Sequence, residues 1–296
     1  MRRIAFVYNP YSGKGKIRNH FADIIDTFAK EDCEIVVVPT KAKGYCTDYI
    51  ASQGKSFETI CVAGGDGTVN EAFNGLMQIK GEKPYLGYIP MGTTNDFASS
   101  CYIPTEPVEA ARVALCGKEL TIDTGRFNEK YFCYVAAFGV FTSVAYGTSQ
   151  QIKNLFGRAA YLVEGIKSLA SVKSYKMRVE YNSNIIEDEF IFGMVANSTS
   201  VGGLKIKSLE VDLSDGLFEV LLLKKIEKAT DINAILTDLM NKKMTSEYYY
   251  IFKTDKLKFL SHEAVAWTLD GEFGGEVKEA EVENVSRAIK LRVAEE

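Results

Sequence analysis

Cys61-Val-Ala-Gly-Gly-Asp-Gly-Thr-Val-Asn-Glu71 is the stretch that decides the fold, because an apolar run ends there at a cluster of glycines and a helix-like segment follows. Glycines let backbone N–H groups approach an anion without a Cβ atom in the way, and the N-terminus of the next helix adds unpaired donors. Asp66 is unexpected in such a turn, since a carboxylate repels phosphate unless a divalent cation or a proton transfer requires it. The turn therefore predicts phosphate binding with Mg²⁺ and phosphoryl transfer.

Short β-rich runs and amphipathic segments alternate on both sides of this glycine turn. Strands are predicted at Ile4–Tyr8, Glu34–Pro39, Thr59–Ala63 and Leu86–Pro90. Helices are predicted from the first loop to Lys30, around Tyr45–Gln53, from the glycine turn to Met77, and at Val108–Leu115. This alternation predicts an α/β domain over residues 1–124 with a parallel sheet, whose ligands bind beyond the carboxyl ends of the strands.

After Asp123 the pattern changes to many strands with few helices. The strands are predicted at Thr121–Phe127, Tyr131–Val140, Lys176–Tyr181, Ile185–Asn197, Leu217–Leu223, Glu247–Phe252, Lys256–Leu260 and Val265–Leu269. Two helical segments, Arg158–Val172 and Ala229–Lys242, interrupt them. Successive strands predict a β-rich, antiparallel, sandwich-like second domain over residues 125–296. The last stretch, Val277–Val293, finishes this domain or returns to the first.

Composition and charge exclude several classes of protein. Hydrophobic residues make up 46% and charged residues 25% of the chain, as in folded soluble proteins. A net charge of −4 without a Lys/Arg stripe does not suit a nucleic-acid partner. The first apolar run is too short for a signal peptide, and no run approaches the roughly 20 residues that span a bilayer. We expect a cytoplasmic protein that is at most peripheral at a membrane.

The six cysteines contain no C-x-x-C pair, and only His20 and His262 could accompany them as ligands. A zinc site is therefore not expected. Most of these cysteines lie in apolar runs, which predicts buried, reduced thiols and a reducing compartment.

Two further polar loops, Asn9–Lys16 and Pro90–Asp96, also follow predicted strands. The first does not match the Walker A pattern, because Gly13 and Gly15 lack its spacing before Gly-Lys-Ser/Thr. Taken singly, each loop has an ordinary alternative as a strand-to-helix turn or a capped helix start. Three glycine loops at one sheet edge, however, supply hydroxyls, amides and carboxylates suited to a nucleotide triphosphate.

The three loops together carry a family resemblance. Gly-Gly-Asp-Gly-Thr with Val-Asn-Glu after it, preceded by Asn-Pro-x-Ser-Gly and followed by Pro-x-Gly-Thr-x-Asn-Asp-Phe, resembles the catalytic domain of diacylglycerol kinase-type lipid kinases. The bacterial soluble members are similar in length. The Gly-Gly-Asp-Gly core alone is shared with NAD kinases and 6-phosphofructokinases, and the flanking motifs favour the lipid kinases. The resemblance implies an NAD kinase/diacylglycerol kinase-like first domain that binds ATP.

The loops and the resemblance together place ATP and its Mg²⁺ on the first domain. The residues expected to contact the nucleotide are Asn9, Pro10, Tyr11, Ser12, Gly13, Lys14, Thr40, Gly64, Gly65, Asp66, Gly67, Thr68, Asn70, Glu71, Gly92, Thr93, Thr94 and Asn95.

Asp212-Leu-Ser-Asp-Gly-Leu-Phe-Glu219 matches the Asp-Gly-x-hydrophobic-Glu/Asp element of the same family. The resemblance implies that Asp215, with backbone oxygens near Asp212 and Leu217, holds a Mg²⁺ that orders the second domain. Hard oxygen ligands at this spacing suit that ion. The alternative is a hairpin turn, because Asp-Gly between extended runs is a strong turn signal.

Leu269-Asp-Gly-Glu272 follows an apolar strand and is either a simple turn or, as the resemblance implies, the second half of a catalytic centre. A base must accept the proton of a lipid hydroxyl as that hydroxyl attacks the γ-phosphate. Asp270 and Glu272 are both candidates. We favour Glu272 as the acceptor and Asp66 as its metal-side partner, so that catalysis requires both domains.

Residues 151–178 carry a local excess of positive charge among apolar residues. Such a segment suits docking on anionic lipid headgroups, with a helix that presents a solvated basic face as the alternative. The basic residues are Lys153, Arg158, Lys167, Lys173, Lys176 and Arg178.

These observations predict an ATP-dependent lipid kinase that phosphorylates the hydroxyl of diacylglycerol, giving phosphatidic acid, or of a related lipid. Its expected partners are a lipid substrate and, transiently, a membrane surface. An NAD kinase and a non-catalytic nucleotide- or lipid-binding module are the alternatives. The acceptor lipid and the oligomeric state, including a homodimer, stay open.

Overall fold

A computed structural model describes residues 1–139, 173–198, 200–201, 204–205, 212–226 and 247–295. By internal contacts the chain divides into two compact units. The first contains Met1–Thr124 and Ser286–Glu296, and the second contains Gly125–Val285. The predicted helices Arg158–Val172 and Ala229–Lys242 lie outside the described residues.

Parallel strands form the sheet of the first unit. They are β1 (Arg2–Tyr8), β2 (Cys33–Pro39), β3 (Thr59–Gly64) and β4 (Tyr85–Pro90). β1 pairs with β2 and β3, and β3 pairs with β4. In the register of these pairs Tyr8 lies beside Pro39 and Ala63, and Gly64 lies beside Pro90. The carboxyl ends of the strands are therefore level, and the loops that follow them start at one edge.

Helices connect these strands. They are α1 (Ile17–Ala29), α2 (Tyr45–Gln53), α3 (Asp66–Gln78), α4 (Asp96–Ser100) and α5 (Pro107–Cys116). α1 and α5 bury Ile24, Phe28 and Ala114 in one core with Phe6 of β1 and Ile89 of β4. Burial of such apolar side chains is the main driving force for packing the helices on the sheet.

Strands dominate the second unit and its connections to the first. They are β5 (Lys118–Phe127), β6 (Lys130–Phe132), β7 (Val135–Gly139), β8 (Tyr175–Tyr181), β9 (Asn184–Ala196), β10 (Ser200–Val201), β11 (Leu204–Lys205), β12 (Phe218–Lys224), β13 (Tyr249–Thr254), β14 (Lys256–Leu269) and β15 (Glu272–Val293). Among the described strands, β9 pairs antiparallel with β7, β8 and β12, and β14 with β7, β8 and β15. The predicted two-domain organisation and the antiparallel, strand-rich second part are confirmed.

An aromatic cluster forms the core of the second unit. Trp267 of β14 is 1% exposed, and its ring centroid lies 5.0 Å from those of Phe127 and Phe259 and 4.8 Å from that of Phe138. Tilted and edge-to-face rings at these separations pack favourably.

β5 and β15 carry the chain from one unit to the other, since the unit boundaries fall inside both strands. Within the first unit, the carboxylate of the buried Asp123 accepts a hydrogen bond from the Arg287 N–H at 2.7 Å. Leu291 at the far end of β15 pairs in parallel with Leu86. The final stretch, predicted either to finish the second domain or to return to the first, thus contributes residues to both units.

Two strand predictions require correction. Tyr131–Val140 was predicted as one strand, but β6 and β7 are separate strands. The N–H groups of the two residues between them, Cys133 and Tyr134, donate to the Asp270 carboxylate. Lys256–Leu260 and Val265–Leu269 were predicted as two strands, but they belong to the single strand β14, whose pairing with β15 shifts register between Leu260 and Val265. Such a bulge interrupts a ladder without ending the strand.

The burial of the thiols matches the prediction for most cysteines. Cys46, Cys61, Cys101 and Cys133 are buried, Cys33 is half-buried, Cys116 is exposed, and all are free. In the described part of the chain, no helix has the length and apolar character needed to cross a membrane.

Candidate active site

The three glycine loops predicted from sequence lie together at the carboxyl edge of the first unit's sheet. Backbone hydrogen bonds connect them: the Asn9 N–H donates to the Ala63 carbonyl at 2.9 Å, and the Met91 N–H donates to the Gly64 carbonyl at 2.7 Å. The central loop is thus held by the loops on either side of it.

Glycine is required where these loops approach one another. A Cβ atom on Gly13, whose φ is +57°, would lie 2.2 Å from the Met91 carbonyl oxygen. A Cβ atom on Gly92 would lie 2.9 Å from the Gly65 Cα atom and 2.6 Å from Asn95 Oδ1. Real side chains do not tolerate such contacts, so these glycines allow the close approach of three backbones.

Asparagine side chains fix the shape of the outer loops. In the first loop, Asn9 Oδ1 accepts the Tyr11 N–H at 2.9 Å. In the third, Asn95 adopts a left-handed conformation, accepts the Gly92 N–H at 2.8 Å and donates to the Gly92 carbonyl at 3.1 Å. Asparagine tolerates this backbone conformation and bonds locally to the main chain. Thr93, at the tip of the third loop, is exposed.

Asp66 begins α3, directly after the N-cap residue Gly65. Its Oδ1 accepts the Phe97 N–H of α4 at 3.3 Å. The Phe97 ring is buried, with its centroid 5.3 Å from that of Phe73 and 5.8 Å from that of Tyr88. The Asp66 side chain is therefore anchored to a packed aromatic cluster while remaining half-exposed. The first N–H groups of a helix have no acceptor in a preceding turn. At the start of α3, the Thr68 N–H donates to the carbonyl of the N-cap residue Gly65 at 2.9 Å.

Three other residues predicted to contact the nucleotide are Thr40, beside the first loop, Gly64, at the end of β3, and Asn70, on α3. The Thr40 N–H donates to the Tyr8 carbonyl at 2.8 Å, which places Thr40 next to the start of the first loop. Gly64 lies against Thr68, whose side chain a Cβ atom at 64 would strike. Asn70 Oδ1 accepts from Asn74 Nδ2 at 3.2 Å, along the helix.

Glu71 differs from the other predicted ligands of the nucleotide. Its carboxylate accepts the Gly44 N–H at 2.8 Å and the Cys46 N–H at 3.1 Å, at the start of α2. The Thr47 hydroxyl donates back to the Glu71 carbonyl at 2.9 Å. An acidic side chain at a helix N-terminus satisfies unpaired donors and interacts favourably with the helix dipole. Glu71 thus fixes α3 on α2, and with it the orientation of the glycine turn.

In the second unit, Asp270 is 4% exposed and lies in the turn between β14 and β15. Its Oδ2 accepts the Cys133 N–H at 2.7 Å, and its Oδ1 accepts the Tyr134 and Val135 N–H groups, both at 3.0 Å. The Asp270 N–H in turn donates to the Val135 carbonyl at 2.8 Å. These bonds explain why β6 and β7 are separate strands.

Glu272 has the opposite environment. It is the first residue of β15, pairs with Leu269 across the turn, and is exposed to solvent. A single glycine, Gly271, therefore separates a carboxylate that accepts main-chain hydrogen bonds from one that is exposed.

The segment from Asp212 to Glu219 forms a turn held by its own carboxylates. Asp212 Oδ1 accepts from the N–H and hydroxyl of Ser214, both at 2.9 Å, and Asp215 Oδ1 accepts the Leu217 N–H at 2.9 Å. In the part of the chain that the structure describes, no three His, Cys, Asp or Glu side chains are grouped as a metal site. The oxygen donors are nevertheless of the kind that Mg²⁺ prefers.

Lys253 supplies positive charge next to this turn. Its Nζ lies 3.5 Å from Asp215 Oδ2 and 2.9 Å from Glu219 Oε1. Burial raises the pKa of Glu219, and the Lys253 ammonium opposes that rise. The ammonium thus already balances both carboxylates, and a bound cation would share Asp215 with it.

The described end of the basic segment is largely paired with acidic residues. Lys173 Nζ lies 2.8 Å from Glu263, and Arg178 contacts Glu180 at 2.7 Å and Glu187 at 3.1 Å. The remaining part, residues 151–172, lies outside the described residues.

Comparison with known proteins identifies the family. A model of the diacylglycerol kinase catalytic domain matches residues 3–127, and a model of the YegS C-terminal NAD kinase beta sandwich-like domain matches residues 135–293. The diacylglycerol kinase of Bacillus subtilis strain 168 is 32% identical over 277 residues, which cover 93% of this chain and 91% of that protein. This chain belongs to the diacylglycerol kinase family. The family resemblance stated from sequence is confirmed.

Further relatives agree with the diacylglycerol kinase assignment. The diacylglycerol kinase of Staphylococcus saprophyticus is 30% identical over 278 residues, covering 93% of this chain and 90% of that protein. The crystal structure of a diacylglycerol kinase from Bacillus anthracis strain Sterne has a TM-score of 0.76 at 22% identity and covers 99% of this chain and 97% of that one. At that identity, the structural similarity shows the shared fold.

Besides Glu71 at the start of α2, two positions in this kinase have contacts that sequence reasoning missed. The tie from Asp66 to Phe97 joins residues 31 apart, and the bonds from Asp270 to Cys133–Val135 join residues more than 130 apart. One local signal was present in the sequence, the dipeptide Asp270-Gly271, which is typical of turns. In the structure both residues have positive φ. That signal predicts a turn but says nothing of the acceptor role of the carboxylate.

Proposed function

We propose that this protein is an ATP-dependent lipid kinase that transfers the γ-phosphate of ATP to the hydroxyl of diacylglycerol, giving phosphatidic acid, or to a related lipid. The observation that supports this function best is the packing of three glycine loops around Asp66 and the N-terminus of α3. It occurs in the region that matches the diacylglycerol kinase catalytic domain.

Main-chain groups of the loops bind the phosphates in this proposal. The N-terminus of α3 at Gly65–Gly67 offers N–H donors and the positive end of a helix dipole to the anion. Asn9–Lys14 and Gly92–Asn95 lie on either side of that turn, and Thr40 is next to the first loop. Thr68 and Asn70 extend the set along α3, whereas Glu71 contributes by fixing that helix on α2.

Asp66 is the residue that would hold Mg²⁺ at the nucleotide. It is a half-exposed carboxylate at the phosphate-binding turn, where hard oxygen donors suit this ion. When bound, the ion neutralises charge that develops on the transferring phosphoryl group. At the Asp212–Leu217 turn, a second Mg²⁺ would act structurally, through Asp215 and main-chain oxygens near Asp212 and Leu217.

Glu272 is the proton acceptor in this proposal, and Asp270 positions it. The Asp270 carboxylate is occupied by three N–H donors and buried, so an incoming hydroxyl has poor access to it. Glu272 is exposed and stands on the turn that Asp270 fixes. A pre-positioned carboxylate within hydrogen-bond reach is what general-base catalysis needs. Because the acceptor lipid resides in a bilayer, the enzyme makes transient contact with a membrane surface.

A competition between acceptors tests this function. The purified protein is incubated with labelled ATP and Mg²⁺ together with diacylglycerol in mixed micelles and NAD in solution, and the products are identified by mass. We expect labelled phosphatidic acid and no labelled NADP. Labelled NADP would assign the chain to the NAD kinase alternative, and the absence of any labelled product would favour a non-catalytic nucleotide- or lipid-binding module.

A further inference from the structure

Tyr88 is a buried tyrosine in the middle of β4, and its hydroxyl contacts the central glycine loop. The residue is 0% exposed, and its neighbours in the strand, Gly87 and Ile89, are apolar. A hydroxyl in such surroundings is unfavourable unless it forms a hydrogen bond. The Tyr88 hydroxyl donates to the Gly64 carbonyl at 3.0 Å. The polar atom of this side chain is therefore directed at the main chain next to Asp66.

The Gly64 carbonyl accepts a second hydrogen bond, from the Met91 N–H at 2.7 Å. A carbonyl oxygen has two lone pairs, so the Met91 bond alone would leave this oxygen with a partner. The Tyr88 hydroxyl therefore adds a restraint on the Gly64 peptide group and is not its only donor. Such a restraint is important here, because Gly64 and Gly65 are adjacent glycines with a permissive backbone, and Asp66 follows them directly.

The ring of Tyr88 contacts the residue that bonds the Asp66 side chain. Its centroid lies 5.8 Å from that of Phe97, and the two ring planes are tilted by 56°. The Phe97 N–H donates to Asp66 Oδ1, and the Phe97 ring is buried and also contacts Phe73. One buried side chain thus contacts both the main chain before Asp66 and the hydrogen-bond donor of the Asp66 carboxylate.

We propose that Tyr88 is a positioning residue for Asp66, which it orients toward Mg²⁺ and the ATP phosphates by fixing the Gly64 carbonyl and the Phe97 ring. This inference rests on the role proposed above for Asp66 in a lipid kinase. Groups that are held in place before binding lose less conformational freedom when the ion and the nucleotide bind, which raises affinity. During phosphoryl transfer the same restraint keeps Asp66 in position, and small displacements of a positioning group are costly.

Tyr88→Phe tests this role, because it removes the hydroxyl and retains the ring. ATP binding is measured by calorimetry over a range of Mg²⁺ concentrations, and turnover is measured with diacylglycerol in mixed micelles. We expect the Mg²⁺ concentration for half-maximal ATP binding to rise about fivefold and kcat to fall about tenfold, with the KM for the lipid unchanged. Tyr85→Phe is the matched control. It removes a hydroxyl of the same strand that donates to Glu119 at 2.9 Å, and it should behave as wild type in both measurements.

The same substitution in an Asp66→Asn background shows whether Tyr88 acts through Asp66. We expect Tyr88→Phe to change the Mg²⁺ dependence of ATP binding by less than about twofold in that background, because substitutions of coupled residues are not additive. The full change in that background would show that Tyr88 acts independently of Asp66 and would overturn the inference.

The remaining outcomes also overturn the inference. A Tyr88→Phe variant with a lower thermal midpoint but wild-type ATP binding and kcat would show a role in stability alone. An equal change in Tyr85→Phe would show a general effect of hydroxyl loss on β4. ATP binding by the wild type that does not depend on Mg²⁺ would refute the metal-side role of Asp66 as well. If the wild type phosphorylates no diacylglycerol, the lipid kinase function fails, whereas the calorimetric comparison still decides whether Tyr88 acts through Asp66.

Discussion

Asp270 and Glu272 show how two carboxylates separated by one glycine acquire different roles from their surroundings. Asp270 is buried and receives three main-chain hydrogen bonds, so its oxygens organise the chain. Glu272 is exposed. Sequence reasoning named both as candidate bases, and the geometry now supports a division into a positioning residue and a proton acceptor.

Asp270→Asn should destabilise the protein. The amide oxygen can still accept from Tyr134 and Val135, but the amide N–H₂ would face the Cys133 N–H, leaving a buried donor without an acceptor. Such a loss costs about 1–3 kcal/mol in the free energy of unfolding, measurable by urea titration. Asp255→Asn, at an exposed position, is the control. Equal stability of the two variants would show that the Asp270 bonds are unimportant.

Asp66→Asn should separate chemistry from folding. Its amide oxygen can still accept the Phe97 N–H, so the thermal midpoint should remain near that of the wild type. Removal of the charge should lower kcat by about 100-fold or more, as loss of a key electrostatic group does. Asp66→Ala should abolish turnover and also lose the tie to α4. A near-normal kcat in either variant would refute the metal-side role of Asp66.

At the scale of elements, the proposed nucleotide site depends on how closely the strand-end loops approach one another. The first and third loops meet where Gly13 lies against the Met91 carbonyl, and the second and third meet where Gly65 lies against Gly92. α3 is in turn fixed on α2 through Glu71. The site is therefore a property of the packed loops rather than of any one motif.

Gly13→Ala should weaken ATP binding. The new Cβ atom would overlap the Met91 carbonyl oxygen, so the first loop must move away from the third. We expect a rise of about tenfold or more in the KM for ATP, because small displacements of positioning groups are costly. Gly81→Ala is the control, since Gly81 also has positive φ, at +87°, but has open space at its Cβ position. An equal rise in the KM for ATP in both variants would show that backbone strain alone causes the change.

Element types were predictable from sequence where local pattern decides them. The apolar run at Thr59–Gly64 and the helix Tyr45–Gln53 appear within a residue of the predicted bounds, because periodicity and flanking glycines set them locally. The break between β6 and β7 was not predictable, since it depends on the Asp270 carboxylate, 137 residues from Cys133. The role of Glu71 at α2 was missed for the same reason. Side-chain contacts between distant segments leave no periodic signal.

At the scale of the whole molecule, the two units contain different groups of the proposed site. In the proposed mechanism, the first unit would supply the phosphate-binding loops and Asp66, and the second would supply Glu272. The second unit also contains a buried charge, since Glu219 is 1% exposed and depends on Lys253 for its counter-ion. The stability of the protein should therefore depend on pH through this pair.

Lys253→Met should destabilise the protein more at pH 8 than at pH 5. Burial already raises the pKa of Glu219, and loss of the ammonium raises it further. A carboxyl whose pKa is raised in the folded state loses stabilisation as pH rises through that pKa, so protonation at low pH relieves the defect. At pH 8 we expect the free energy of unfolding to fall by about 1–3 kcal/mol. This is less than the cost of breaking a fully buried ion pair, because Lys253 is partly exposed.

Urea titrations of this variant from pH 5 to pH 8 provide the measurement. Lys258→Met is the control, because Lys258 pairs with the exposed Glu279, and it should change stability by less than about 1 kcal/mol at every pH. A deficit in Lys253→Met that does not vary with pH would contradict the assigned burial of the Glu219 charge.

The most direct test of the account is Glu272→Gln, with ATP binding measured by calorimetry and phosphatidic acid formation measured by mass. The amide keeps the size of the side chain but cannot accept the proton. We predict an ATP dissociation constant within about threefold of wild type, because the loops proposed to bind the nucleotide belong to the first unit, and a kcat reduced by about 100-fold or more. Turnover within about threefold of wild type would contradict the account.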